Sequence, residues 1–166
     1  MPVTVKKISL WRKEVLNQGG TGTLADTLEP LLQAGANLRV LMEYRYPGDA
    51  TRAAIELYPV AGRKVTAAAA ELGLVASSIP TLLVECDDKP GLGLSIASAI
   101  AAAGMNLGFF VAQSIGRRFS AVLGFETESD AKAAAPLIKK AAASRKKWKE
   151  VGPVIMDGVA KMRLFR

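Results

Sequence analysis

Two adjacent carboxylates, Asp87 and Asp88, are followed by the turn-forming residues 89–91. Carboxylates can hold a divalent cation, but two of them without a third ligand make a poor metal site, so the sequence favours a role in the turn. An acidic side chain beside the first amides of a helix offers an acceptor for an ammonium group and donors for a carboxylate. This combination suits an α-amino acid.

Catalysis has little support in the sequence. The chain has no histidine, which removes the commonest general base and the commonest nitrogen ligand for metals. The single cysteine, Cys86, has no imidazole to activate it and fits a small buried residue of a strand. The glycine-rich stretch at 19–23 could expose amides to an anion, but a flexible loop is the simpler interpretation. We therefore expect no catalytic residue, no metal site and no cofactor.

The elements that must position Asp88 can be inferred from local patterns. Apolar residues alternate over 82–86, which predicts a half-buried strand ending at the turn. Apolar residues then recur at helical spacing over 96–103, with Asp88 as the expected cap and Pro90 in the first turn. Gly104 is placed to end this helix in the left-handed conformation. The predicted order is strand, turn and helix.

The turn Asp88-Lys89-Pro90-Gly91, the helix of small residues after it and Gly104-Met105-Asn106 together resemble the ACT domain. That family consists of small regulatory modules that bind amino acids. The resemblance implies a βαββαβ fold of ferredoxin type, with the ligand held between the first strand–helix turn and an adjoining domain. By position it assigns ligand binding to Asp88, Lys89, Pro90, Gly91, Leu92 and Asn106. Cys86 stands where a relative has a histidine.

A shift of 69 residues brings two parts of the chain into register. The matched positions are Gly22 with Gly91, Leu31 with Ile100, Gly35 with Gly104, Asn37 with Asn106 and Leu38 with Leu107. A shared helix-ending glycine and a shared Gly-X-Asn indicate a tandem repeat. We expect one ACT-like repeat at 1–79, a second at 80–156 and a basic C-terminal extension at 157–166. Gly22 and Asn37 are weaker ligand candidates, because the first repeat lacks the Asp-X-Pro-Gly turn.

The expected fold is α+β, with two ferredoxin-like βαββαβ repeats whose antiparallel sheets carry helices on one face. In the first repeat we predict strands at 5–12, 38–46, 52–59 and 74–79, a loop at 13–22, and helices beginning near 23 and 64. In the second, we predict strands from 82, 107 and 119, a helix from about 130 capped by Thr127 or Ser129, and a last strand at 148–156.

The net charge of +7 is located entirely in residues 139–166, so the body of the chain is neutral. This location argues against nucleic acid as the main partner. One alternative remains an RNA-binding module, because residues 117–125 and the basic run 146–149 combine arginine or lysine with aromatic residues. Another alternative is a pure oligomerisation module.

Our interpretation of the sequence is a non-catalytic regulatory protein that binds a small amino acid. The expected partners are the amino acid, further copies of the chain in a homodimer or larger homo-oligomer, and an unidentified regulated enzyme. Neither a signal peptide nor a membrane span is evident in the sequence, so we expect a cytoplasmic location.

Overall fold

A computed structural model describes residues 2–16 and 22–144. The strands are β1 (Thr4–Ile8), β2 (Trp11–Leu16), β3 (Val40–Tyr46), β4 (Asp49–Tyr58), β5 (Val75–Ala76), β6 (Thr81–Asp87), β7 (Leu107–Ile115) and β8 (Arg118–Phe125). The helices are α1 (Thr23–Gln33), α2 (Arg63–Glu71), α3 (Leu92–Ala102) and α4 (Glu128–Ala143). These elements match the predicted α+β fold.

The first sheet has the order β3-β4-β2-β5, with antiparallel pairing throughout. One face lies under α1 and α2 because alternate residues of the central strands are apolar there, including Ile55 and Leu57 of β4. Leu31 of α1, Val65 of α2 and Leu74 complete that core. The first unit thus buries one sheet face against two helices.

The second sheet has the order β1-β6-β8-β7, also antiparallel. Leu82, Val84 and Cys86 of β6 share a core with Ile96 of α3 and Ile138 of α4. The fourth strand of this sheet, β1, comes from the N-terminal end of the chain. It lies beside β6, just as β5 lies beside β2 in the first sheet. Residues 148–156, where the sequence predicts a last strand, and the extension at 157–166 lie outside the described residues.

The N-terminal part of the chain differs from the sequence prediction. The single strand expected at 5–12 is wrong, because β1 and β2 are separate strands that belong to different sheets. The chain crosses between the sheets at Leu10, which is fully buried together with Ile8 in a core between the two units. The loop expected at 13–22 is wrong as far as Leu16, since β2 pairs with β4 along its whole length.

The helix-free faces of the two sheets contact each other. Val40 of β3, Leu83 of β6 and Val122 of β8 form a buried cluster with Ile8 and Leu10. At its edge a single nitrogen of the Arg39 guanidinium donates to both carboxylate oxygens of Glu85, at 2.6 Å each. Apolar burial and a charge-assisted contact therefore join the two units.

The repeat predicted by the 69-residue shift is visible in the helices. Both ends of α1 fall on both ends of α3 when this shift is applied. After α1 the amide of Ala36 donates to Leu31 O at 2.9 Å, and after α3 the amide of Met105 donates to Ile100 O at 3.3 Å. Each of these bonds closes the same helix ending over a glycine with positive φ, so the predicted end signals are confirmed.

Candidate functional site

The turn between β6 and α3 carries most of the predicted ligand residues. Its helix begins at Leu92, and the N-cap is Gly91 in the left-handed conformation at φ 77°. Among the residues that the structure describes, no side chain caps the first amides of α3, so the expected capping by Asp88 is wrong. The backbone amide of Asp88 instead donates to Arg117 O at 2.9 Å, which fastens the turn to the β7–β8 hairpin. The Asp88 side chain is exposed at the start of this turn.

Lys89 extends from the same turn to the end of α4. Its ammonium donates to Ala142 O at 2.5 Å and also to Ser144 O. The last carbonyls of a helix have no partner within the helix and carry its negative dipole end, so a cation there satisfies both needs. The structure therefore ties the turn to the C-terminal end of α4 through Lys89.

Two surface depressions lie beside the turn, and each is lined by some of the predicted ligand residues. One is a groove between α3 and α4 of about 570 Å³, lined by Pro90 and Gly91. The other, of about 590 Å³, is lined by Asp88 and Lys89. Leu92 contributes its side chain to the core and is 2% exposed, and its backbone amide donates to Lys89 O at 3.2 Å.

The two asparagines occupy similar places after their helices. Asn106 is exposed just before β7 and is not among the residues that line either depression beside the turn. Asn37 is likewise exposed in the first unit. Neither asparagine lines the cavities described here beside its own turn.

The corresponding place in the first unit contains residues that the sequence analysis did not single out. Gly22 is the N-cap of α1, again left-handed and without side-chain capping, and it lines a cavity of about 350 Å³. Glu43 and Arg45 of β3 line the same cavity. Their spacing of two residues in a clearly alternating strand was the signal that could have placed both on one face. Asp26 lies in the first turn of α1, whereas α3 has no acidic residue in its first turn.

The helix-free face of the first sheet carries an ionic cluster that the sequence did not reveal. Its members are Arg12, Glu14, Tyr44, Tyr46, Arg52 and Glu56. Arg12 Nη1 donates to Glu56 Oε1 at 3.0 Å, and the Tyr44 hydroxyl donates to the same oxygen at 3.3 Å. Arg12 also donates to the Tyr46 hydroxyl, and Arg52 donates to Glu14 at 2.8 Å.

Glu56 is the most deeply buried member of the ionic cluster, with no exposed surface. Its second oxygen, Oε2, has no hydrogen-bond partner within residues 2–16 and 22–144. Burial raises the pKa of the Glu56 carboxyl above its ordinary value, although the charge of Arg12 opposes this. The cluster is therefore a buried ion pair with one unsatisfied oxygen, supported by two tyrosines.

The residues behind the RNA-binding alternative are not placed for stacking. Phe119 and Phe125 of β8 are 5% and 2% exposed and belong to the core of the second unit. Aromatic rings that are covered by helices cannot stack on bases. The basic run at 146–149 lies outside the described residues.

Residues 2–16 and 22–144 contain neither a metal-binding cluster nor a reactive thiol. No group of three or more histidine, cysteine, aspartate or glutamate residues there could hold a metal ion. Cys86 is buried, and burial raises the pKa of its thiol, which keeps it protonated and unreactive. Among the same residues, no helix is long and apolar enough to cross a membrane.

No protein-family model and no curated protein matches the sequence. Several solved structures, in contrast, are similar to this chain. A protein designated BT0572 from Bacteroides thetaiotaomicron superposes with a TM-score of 0.65 at 12% identity, covering 84% of this chain and 99% of the other. The ligand-free regulatory subunit of aspartate kinase from Thermus thermophilus gives a TM-score of 0.58 at 14% identity, covering 85% and 97%. This chain has a tandem ACT fold.

Aspartate kinase from Clostridium acetobutylicum gives a TM-score of 0.54 at 16% identity, with 84% of this chain matching 34% of that enzyme. The ACT fold predicted from the turn, the helix and the Gly-X-Asn is thereby confirmed. The two ACT units correspond to the two sheets with their helices, and β1 completes the second of them.

Proposed function

We propose that this chain is a non-catalytic regulatory protein that binds a small amino acid through its tandem ACT units. The observation that carries the proposal is the likeness, along nearly the whole of that chain, to a protein described as the regulatory subunit of aspartate kinase. In this setting the chain is cytoplasmic, forms a homo-oligomer and passes its ligand state to an enzyme.

The second turn supplies the groups that a zwitterion needs. The amino acid's carboxylate accepts hydrogen bonds from the amides around Gly91 and Leu92, where the Leu92 amide exchanges its 3.2 Å bond to Lys89 O for the ligand. The ammonium of the amino acid donates to Asp88 or Asn106. Support comes from the open start of α3, which has no side-chain cap and no acid in its first turn to compete for those amides. In the first unit, Asp26 already supplies negative charge to the start of α1.

Thermal unfolding of the full chain in the presence of each of the twenty amino acids tests the proposal. A ligand at 100 times its dissociation constant adds about 2.7 kcal/mol to the free energy of unfolding if it binds only the native state. We expect at least one amino acid to raise the midpoint by several degrees. The amide of that amino acid, which lacks the carboxylate, and its D-enantiomer should have little effect. If no amino acid shifts the midpoint, the proposed ligand class is wrong.

A further inference from the structure

The last helices of the two units end in different ways. After α2, Gly73 has a φ of 76°, and the amide of Leu74 donates to Ala69 O at 2.9 Å, so this helix closes its own free carbonyls. The cap residue of α4, Ser144, has a φ of −59° and a ψ of 134°, so the chain leaves α4 in an extended conformation. The last carbonyls of α4 therefore need partners from another part of the chain.

Lys89 of the second turn provides the partner for two of these carbonyls. Its ammonium donates to Ala142 O and Ser144 O, which lie 53 and 55 residues later in the sequence. The first unit has no counterpart of this side chain, because the 69-residue shift places Gly20 opposite Lys89. In the second unit, the turn that carries the predicted ligand residues thus also holds the end of α4.

Two features bring a bound carboxylate into competition with α4 for Lys89. The backbone carbonyl of Lys89 accepts from the Leu92 amide at 3.2 Å, and the ligand takes that amide in the proposed binding mode. Gly91 and Ser144 line the same groove, so a carboxylate at Gly91 lies close to a carbonyl that Lys89 holds. An ammonium forms stronger hydrogen bonds with a carboxylate than with neutral carbonyls.

We propose that the amino-acid ligand releases the last turn of α4 by drawing the Lys89 ammonium onto its own carboxylate. This inference rests on the proposed function, because it requires a ligand with a carboxylate at the second turn. By linkage, the contact of Lys89 with α4 and the binding of the ligand weaken each other by the same free energy. The chain continues from Ser144 into residues 145–166, which carry a net positive charge. The ligand state is thereby transmitted to the start of that segment.

The release should be confined to the last turn of α4. Ala134 and Ile138 have no exposed surface and belong to the core of the second unit, so the earlier turns stay packed whether or not Lys89 is bound. Ala142 also packs in this core, but its carbonyl is one of the two that Lys89 holds. The amides of the earlier turns therefore serve as an internal reference for the amides at the end of the helix.

Hydrogen exchange of individual amides, followed by NMR in the ligand-free full chain, tests the contact between Lys89 and α4. Lys89→Met keeps a side chain of similar length but removes its donors. The amides of residues 142–144 should then exchange about fivefold faster or more, and those around Ile138 should not change. Lys89→Arg retains donors and should exchange at close to the parent rate.

Lys139→Met is the matched control for the loss of a positive charge. Lys139 is exposed on α4 and lines the same depression as Lys89. Its replacement should leave exchange at residues 142–144 unchanged. Unchanged exchange in Lys89→Met, or equal acceleration in Lys139→Met, would overturn the proposal.

A second measurement adds, at saturation, the amino acid that raises the unfolding midpoint. Such a ligand slows the exchange of amides that open only by global unfolding. The proposal predicts the opposite at residues 142–144 of the parent, where exchange should become about fivefold faster or more.

The outcomes separate this inference from the proposed function. If the amino acid binds and residues 142–144 exchange at the same rate or more slowly, the inference is overturned and the proposed function stands. If no amino acid raises the midpoint, the proposed function fails and the ligand-driven release fails with it. The ligand-free variants then still decide whether Lys89 holds the end of α4.

Discussion

The two sheets have the same spatial strand order, apart from the origin of β1, but different residues lie at the centre of their helix-free faces. In the first sheet Arg12 of β2 pairs with Glu56 of β4, and their side chains form an ion pair. In the second sheet Leu83 of β6 pairs with Val122 of β8, and both contribute to the apolar core between the units. The backbone arrangement is therefore compatible with either a charged or an apolar pair at this place.

The apolar pair and the ionic cluster therefore contribute to stability in different ways. The apolar pair buries its surface against the neighbouring unit, so it stabilises the association of the two sheets. The hydrogen bonds of the ionic cluster are made mainly among its own side chains, and the buried Glu56 has one oxygen without a partner in the described part of the chain. Because a buried ion pair stabilises weakly but is costly to break, the first unit should be the more sensitive to loss of a single charge.

Replacing Arg12 by Met should have the largest effect. It leaves the Glu56 carboxylate buried without its cationic partner, which should reduce the free energy of unfolding by about 3–5 kcal/mol near neutral pH. Urea unfolding followed by circular dichroism would measure this loss. The matched control is Arg52→Met, because Arg52 pairs with the exposed Glu14 and exposed pairs contribute at most about 1 kcal/mol.

The stability of the Arg12→Met variant should depend on pH, and Glu56 determines the direction of that dependence. Its folded pKa is already raised by burial and rises further without Arg12, so the folded state holds its proton more tightly than the unfolded state. The variant's deficit relative to the parent should therefore be smallest below the folded pKa of Glu56 in the parent, which lies above the ordinary 4.5, and should grow as the pH rises through it. A deficit independent of pH would show that lost packing, and not the buried charge, is responsible.

At the ligand site the expected difference between the two units concerns the free energy of binding, and it is smaller than the effect of Arg12→Met on stability. If the second turn binds the amino acid, Asp88→Ala and Asn106→Ala should each cost ~1–3 kcal/mol of binding free energy, or about 5- to 150-fold in affinity. Asn37→Ala should cost less, because its turn lacks the aspartate and proline. Titration calorimetry with the amino acid found by thermal shift would measure all three.

Three outcomes distinguish the units at this site. A large loss at Asn106 with little at Asn37 supports a single site in the second unit. Equal losses at both asparagines would indicate two working sites. A loss at Asn37 alone would place the site in the first unit, where Glu43 and Arg45 line the cavity beside Gly22.

The smallest effects should come from Gly35→Ala and Gly104→Ala, and they should be equal. Both glycines have positive φ, and an added Cβ would meet no heavy atom within 4 Å, so only the backbone conformation is penalised. The cost should be about 1–2 kcal/mol in each unit. Thermal unfolding of the two variants would check this. A clearly larger loss at one position would show that the two helix endings are not equivalent.

Local signals in the sequence were sufficient where a structural feature depends on neighbouring residues. Gly35 and Gly104 end their helices as predicted, and Thr127 accepts from the amide of Asp130 at 3.1 Å as the cap of α4. The ACT resemblance likewise depends on a short turn and a Gly-X-Asn. Such features are determined within a few residues, so no knowledge of distant partners was needed.

Features that depend on distant partners were missed. Ile8 and Leu10 alternate with Ser9 and Trp11 in the sequence, which predicted one strand, yet β1 and β2 pair with strands of different sheets. Glu56 follows the ordinary alternation of a strand and would be expected to face water. It is buried because Arg12, 44 residues away, accompanies it. The local sequence pattern at 55–57 is the same whether Glu56 faces water or is buried, so no local rule distinguishes the two outcomes.

The position of β1 affects the order in which the chain can fold during synthesis. Residues 4–8 leave the ribosome before the other described strands, but Thr4 bonds to Glu85, 81 residues later. At a synthesis rate of about 5–20 residues per second, the N-terminal strand waits several seconds for its partner, while β2 to β5 have already been made. The second unit therefore completes its sheet last, although its strand β1 is made before the other described strands. A ribosome-bound nascent chain that ends before β6 should leave residues 4–8 accessible to proteases.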